Sequence, residues 1–103
     1  SGEDGDFERK IRVIEEADAL LPKLIDLKPD VLVVTGDHST PAILKGHSWH
    51  PVPILLKAQY CRTDNCTEFS ETACINGGLG RFLAADIMPL AMANALKLDK
   101  FGA

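Results

Sequence analysis

The run Val31-Leu32-Val33-Val34, entered through Lys28-Pro29-Asp30 and broken at Gly36, does most to limit what this chain can become. An unbroken β-branched and leucine run of strand length predicts a strand buried on both faces, the pattern of parallel sheets covered by helices. Such a strand cannot stand alone. Its carboxyl end delivers Thr35-Gly36-Asp37-His38-Ser39-Thr40-Pro41 to a loop, where open α/β sheets keep their ligand crevices. Asp37 and His38 offer a hard anionic oxygen beside a neutral nitrogen, a donor pair suited to zinc, manganese or iron. The same residues also make an ordinary turn, because short polar side chains bond the local backbone and Pro41 presets φ. His47 favours the metal reading. It precedes Ser48-Trp49-His50-Pro51 and a second apolar strand expected near Val52 to Ala58, with Pro51 and Pro53 limiting its amino end. Asp37, His38 and His47 would then converge over one crevice.

Composition narrows the classes of partner. The 103 residues make one small domain, large enough to bury roughly 60–65% of its unfolded surface. No apolar run approaches the ~20 residues needed to span a bilayer, and the amino end does not read as a secretory segment. No membrane association and a cytoplasmic location are therefore expected. A net charge of −4 with scattered Lys and Arg gives no basic stripe for nucleic acid. Cys61, Cys66 and Cys74 are odd in number and match no zinc spacing, so they read as free, partly buried thiols.

Phe7, Ile11, Ile14, Ala17, Leu21, Leu24 and Ile25 recur at helical spacing behind Asp6, a suitable N-cap. Pro22 predicts a kink or a break with a restarted helix, and Lys28-Pro29 an end. The charged residues of this helix form a solvated face. Ala42 to Gly46 suggests a turn of helix closed by Gly46, and Gln59 to Glu71 a polar surface loop. Gly77-Gly78-Leu79-Gly80-Arg81 lacks the Lys-Ser/Thr of a phosphate-binding loop and reads as a turn. Arg81 either fixes an anion or pairs with an acidic neighbour. Asp86 would cap a last helix from Ile87 to about Leu98, with Pro89 in its first turn and Met88 and Met92 filling the core.

The order is helix, strand, loop, strand, long loop, helix, an α/β arrangement. Two strands cannot complete a parallel sheet. The expectation is a segment of something larger with an incomplete, mostly parallel sheet, whose isolated form covers its exposed strands by self-association.

Four motifs in order resemble a known family: Thr35-Gly36-Asp37-His38-Ser39-Thr40-Pro41; His47-Ser48 with Pro51-Val52-Pro53; Phe69-Ser70-Glu71 through Cys74 to Gly77-Gly78-Leu79-Gly80-Arg81; and Asp86-Ile87-Met88-Pro89. Together they look like the carboxyl-terminal part of the archaeal-type 2,3-bisphosphoglycerate-independent phosphoglycerate mutases of the alkaline phosphatase superfamily. The resemblance covers nearly the whole chain and implies a fragment of an alkaline-phosphatase-like fold. It implies a phosphotransferase with two divalent metal ions, manganese or zinc, and no bisphosphoglycerate cofactor, moving a phosphoryl group between the 3- and 2-hydroxyls of glycerate through a phosphoserine. By position, Asp37 and His38 would bind the metal that also holds the serine nucleophile, and His47 the second metal. His50 matches no ligand position. No residue of this chain corresponds to the nucleophile, so the 103 residues alone are expected to be inactive. The family usually carries a run such as Gly-His-Asp-Gly before the first helix; here it reads Gly2-Glu3-Asp4-Gly5, which leaves open whether Glu3 substitutes as a ligand. Two alternatives are weighed beside it: another phosphotransferase or hydrolase of the superfamily, and a stand-alone metal-binding or structural module.

Overall fold

A computed structural model describes residues 1–99. They fall into two compact units, one built from Ser1–Pro29 with Gly36–Val52, the other from Asp30–Thr35 with Pro53 onward.

The first unit is dominated by helix α1, Phe7–Asp26. Asp6 caps it, its carboxylate accepting the Arg9 amide at 2.9 Å. The helix runs unbroken through Pro22, so of the expected kink or break the break does not occur. An interior proline removes one hydrogen bond and crowds one carbonyl; here the remaining turns carry the helix past that local cost. The apolar stripe of α1 is left uncovered by the described residues: Phe7, Ile11, Ile14, Leu24 and Ile25 are all exposed. The end is set by Lys28 in the left-handed region, φ 52°, its amide donating to the Ile25 carbonyl at 2.9 Å. Pro41 to Gly46 forms a turn rather than a helix. Leu44 and Lys45 both donate to the Pro41 carbonyl, and Lys45 instead of Gly46 takes the left-handed conformation, φ 50°.

The second unit holds strands β1, Val31–Thr35, and β2, Ile54–Ala58. They pair antiparallel, Val31 opposite Ala58 and Thr35 opposite Ile54. The mostly parallel sheet read from the sequence is therefore incorrect. A parallel pair needs a crossover, usually a helix, and the chain between β1 and β2 has none. Nor is β1 buried on both faces: its first four residues are half-buried and Thr35 is exposed. β2 alternates instead, with Ile54, Leu56 and Ala58 half-buried and Leu55 and Lys57 exposed.

Beyond β2 the polar loop leads to the short helix α2, Glu71–Cys74, capped by the Ser70 hydroxyl, which accepts the Ala73 amide. The glycine run is a turn, as expected, and it closes on a carboxylate of the chain itself. Asp64 accepts the Gly78 amide at 2.7 Å and the Cys66 amide at 2.9 Å, and these two donors hold its carboxyl below the usual carboxylate range. Burial, and then the Asp64 charge, push the Cys66 thiol up. All three cysteines are free and half-buried.

A single 3₁₀ turn, Ala84–Asp86, leads into α3, Ile87–Asn94, which lies against β1. The Asp86 side chain makes no capping bond. Helix α3 stops short of Leu98 because Leu96 turns left-handed, φ 59°, and the Lys97 amide reaches back to the Met92 carbonyl at 2.9 Å, a Schellman ending. Met88 and Met92 are exposed rather than core. No side chain among the described residues is fully buried.

Candidate metal centre

Three segments of the first unit meet around Thr40. The loop after β1 carries Asp37 and His38, and its Ser39 pairs with Ser48 in an antiparallel bridge, which brings His47 alongside His38. The two imidazoles sit with ring centroids 3.8 Å apart, inclined at 56°. The Thr40 hydroxyl lies between them, 3.0 Å from His38 Nδ1 and 3.1 Å from His47 Nδ1. A hydroxyl oxygen has two lone pairs, so Thr40 can accept an Nδ1–H from both rings. That tautomer leaves both Nε2 atoms as lone-pair donors, as metal-bound histidines require.

Each Nε2 faces a carboxylate. His38 Nε2 is 3.3 Å from Asp37 Oδ2, while the other Asp37 oxygen accepts the His38 amide at 2.9 Å and so fixes the carboxylate beside its ring. His47 Nε2 is 3.2 Å from Glu3 Oε1. Charge-assisted hydrogen bonds of this type run about 2.7–2.9 Å. Two ligands about 2.1 Å from one cation stand about 3.0 Å apart at an octahedral angle and about 3.4 Å at a tetrahedral one. Both separations fall in that span, and all four side chains are open to solvent.

The third segment is the amino-terminal turn. Gly5 donates to the Gly2 carbonyl at 3.1 Å and Asp6 to Ser1, folding residues 1–6 onto the loop. A Cβ at Gly2 would stand 2.7 Å from the Thr40 carbonyl oxygen, a distance only glycine permits. That same carbonyl accepts the Lys10 ammonium at 2.7 Å, so one residue of the charged face of α1 is tied to the loop.

Sequence reasoning named Asp37, His38 and His47, and the structure gathers them in one cluster. It did not single out Thr40 or Lys10, whose roles depend on contacts across the loop that no spacing signals. His50 is held apart, its Nδ1 2.8 Å from the Ser48 hydroxyl. Arg81 belongs to the other unit and is exposed. No group of three or more His, Cys, Asp or Glu side chains among the described residues is arranged around a single ion. What the structure shows is two imidazole–carboxylate pairs, each offering one nitrogen and one oxygen donor of the kind divalent transition metals accept.

The chain belongs to the Metalloenzyme superfamily, whose model matches residues 1–94. More particular relatives are phosphoglycerate mutases. The chain is 58% identical over 102 residues to a probable 2,3-bisphosphoglycerate-independent phosphoglycerate mutase of Thermotoga petrophila, covering 99% of this chain and 25% of that protein. A protein of the same description from Deinococcus radiodurans is 54% identical over 103 residues, with 25% of its length covered. A solved structure from Pyrococcus horikoshii superposes with a TM-score of 0.91 at 39% identity, covering 99% of this chain and 32% of that one. The chain thus spans about a quarter of the length of the curated relatives it matches.

Proposed function

We propose that this chain is a segment of the catalytic domain of a 2,3-bisphosphoglycerate-independent phosphoglycerate mutase, an isomerase of cytoplasmic glycolysis and gluconeogenesis. In it, Asp37 and His38 bind one divalent ion and His47 a second. The observation that carries the reading is the pair of imidazoles anchored through Nδ1 on Thr40, with each Nε2 set beside a carboxylate. Mixed nitrogen and oxygen ligation suits manganese or zinc over magnesium or calcium.

When bound, such ions activate a hydroxyl nucleophile and neutralise the oxygens of a transferring phosphoryl group. This chain's residues do the positioning. Asp37 supplies negative charge and holds its orientation through the His38 amide. Thr40 sets the tautomer of both rings, and Lys10 fixes the backbone that carries Thr40. Arg81, exposed and without an ion pair among the described residues, is assigned to an anion of the substrate, phosphoglycerate. The serine nucleophile is assigned to the remaining three quarters of the enzyme.

The test replaces the matching region of the Thermotoga petrophila mutase with this chain and measures conversion of 3-phosphoglycerate to 2-phosphoglycerate. Activity in the manganese-loaded chimera is expected. A folded, metal-loaded chimera without mutase activity contradicts the reading, and hydrolysis of phosphate esters by that chimera would instead favour another branch of the superfamily.

A further inference from the structure

We propose that Cys66 and Cys74 are a redox pair, closing to a disulfide with hydrogen peroxide and reopening with a thiol reductant, and that closure reshapes the glycine turn leading to Arg81. The pair belongs to the second unit, and its chemistry is independent of what the histidines of the first unit bind.

Contacts bring the two cysteines to one place. The Cys66 thiol donates to the Ala73 carbonyl at 3.3 Å, and the peptide bond joins that carbonyl to Cys74. Trans-peptide bond lengths then put Cys66 Sγ within roughly 6 Å of the Cys74 Cα. A Cβ placed on Gly77 would stand 3.2 Å from the Cys74 carbonyl oxygen, 3.5 Å from Asp64 Oδ2 and 3.9 Å from Cys66 Sγ, so both cysteines and Asp64 border one backbone position. Disulfides hold their Cα atoms about 4.4–6.8 Å apart. Helix α2 has only four residues and is capped at one end by Ser70, so its last turn is the part that moves to close the bond. Access exists as well. Both thiols are free and half-buried, and an open cleft of about 250 Å³ runs past Cys66 and Ala73 between the polar residues Asn65, Thr67, Glu68 and Asn76.

Burial first, then Asp64, and last the Cys74 thiolate push the Cys66 thiol up, and a thiol that ionises less attacks more slowly. Cys74 therefore takes the first step. Its thiolate attacks one peroxide oxygen, the O–O bond breaks, and the departing hydroxide takes a proton and leaves as water. Cys66 then displaces the hydroxyl of the Cys74 sulfenic acid, its own proton leaving with that hydroxyl as a second water. Two electrons pass from the sulfurs to the peroxide, and one S–S bond replaces two S–H bonds. Closure takes the Cys66 thiol off the Ala73 carbonyl and pulls on the loop whose Asp64 holds the Gly78 amide at 2.7 Å. In reducing compartments such pairs are transient sensors rather than permanent struts.

The experiment treats the folded chain with hydrogen peroxide and follows it by thiol counting, non-reducing peptide mapping and amide NMR. Free thiols should fall from three to one, with Cys66 and Cys74 linked in a chain that runs as a monomer on a non-reducing gel. The Gly78 amide resonance should move, and dithiothreitol should reverse both changes. Cys61→Ser should form the same link. In Cys66→Ser, dimedone should trap a sulfenic acid on Cys74, whereas Cys74→Ser should give no adduct on Cys66 at the same peroxide concentration. Three surviving thiols, a link through Cys61 or between two chains, or oxidation past sulfenic acid without a link overturns the redox pair. A Cys66–Cys74 link that leaves the Gly78 resonance in place overturns its effect on the turn. An adduct on Cys66 in Cys74→Ser overturns the order of attack.

Discussion

At the scale of single residues, Thr40 is the side chain on which the metal reading turns. Its hydroxyl is within hydrogen-bond reach of both imidazoles, so Thr40→Val, nearly isosteric but without that oxygen, should weaken divalent-metal binding about 10–100-fold with an unchanged circular dichroism spectrum. Calorimetric titration with manganese checks this, and unaltered affinity would reduce Thr40 to a loop residue. Asp37→Asn in the chimeric enzyme removes an anionic ligand, a loss of several kcal/mol of transition-state charge stabilisation and hence about a thousandfold in kcat. Near-normal turnover would return Asp37 to the role of a turn residue. Asp64 supports a separate expectation in pH. Its folded-state pKa is lowered, chiefly by the Gly78 amide and then by the Cys66 amide. The stabilisation is therefore complete above the ordinary carboxylate value and is lost as the pH falls from about 4 through the lowered one. The Gly78 amide proton shift should titrate with a midpoint below that of an exposed aspartate; a midpoint at or above it contradicts the contact.

Among the elements, both long helices end on left-handed residues that are not glycine, Lys28 and Leu96. A left-handed conformation costs an L-residue roughly 1–2 kcal/mol, so Lys28→Gly should relieve strain at the end of α1 and raise the unfolding midpoint. A lowered midpoint would show that the Lys28 side chain contributes something the backbone argument omits. These endings also explain what the sequence concealed. The start of α1 was legible because Asp6 is a side-chain cap that spacing reveals. The stop of α3 was not, because Leu96 carries no composition signal for a left-handed turn and the apolar pattern continues to Leu98. The antiparallel pairing of β1 and β2 was hidden for a related reason: Val31 to Val34 reads as buried on both faces, yet the direction of the next strand depends on whether a crossover helix intervenes. The candidate site was more legible. Asp37, His38 and His47 could be named from residue type and position, whereas Thr40 and Gly2 act through contacts that only the folded loop creates.

The whole molecule is short of interior. Its described residues include no fully buried side chain, and large apolar groups from Phe7 through Trp49 to Leu83 are exposed. Burying apolar surface returns about 25 cal/mol per Å², so uncovered faces of this extent favour association. The isolated chain should elute with a light-scattering mass above its 11.2 kDa and bind a hydrophobic dye, both effects diminishing when the remaining three quarters of a mutase are supplied. A monomer with a sharp cooperative melt would contradict the view that this is one segment of a larger domain. The chain's 25% share of its curated relatives and its match to 32% of the Pyrococcus horikoshii structure point the same way. The most direct test of the metalloenzyme reading is the metal content of the chimeric enzyme, counted by elemental mass spectrometry for wild type, Asp37→Asn and His47→Ala. Two manganese or zinc ions per chain in wild type, with one lost in each variant, is the expected result. Two ions retained in both variants would mean that neither residue is a ligand.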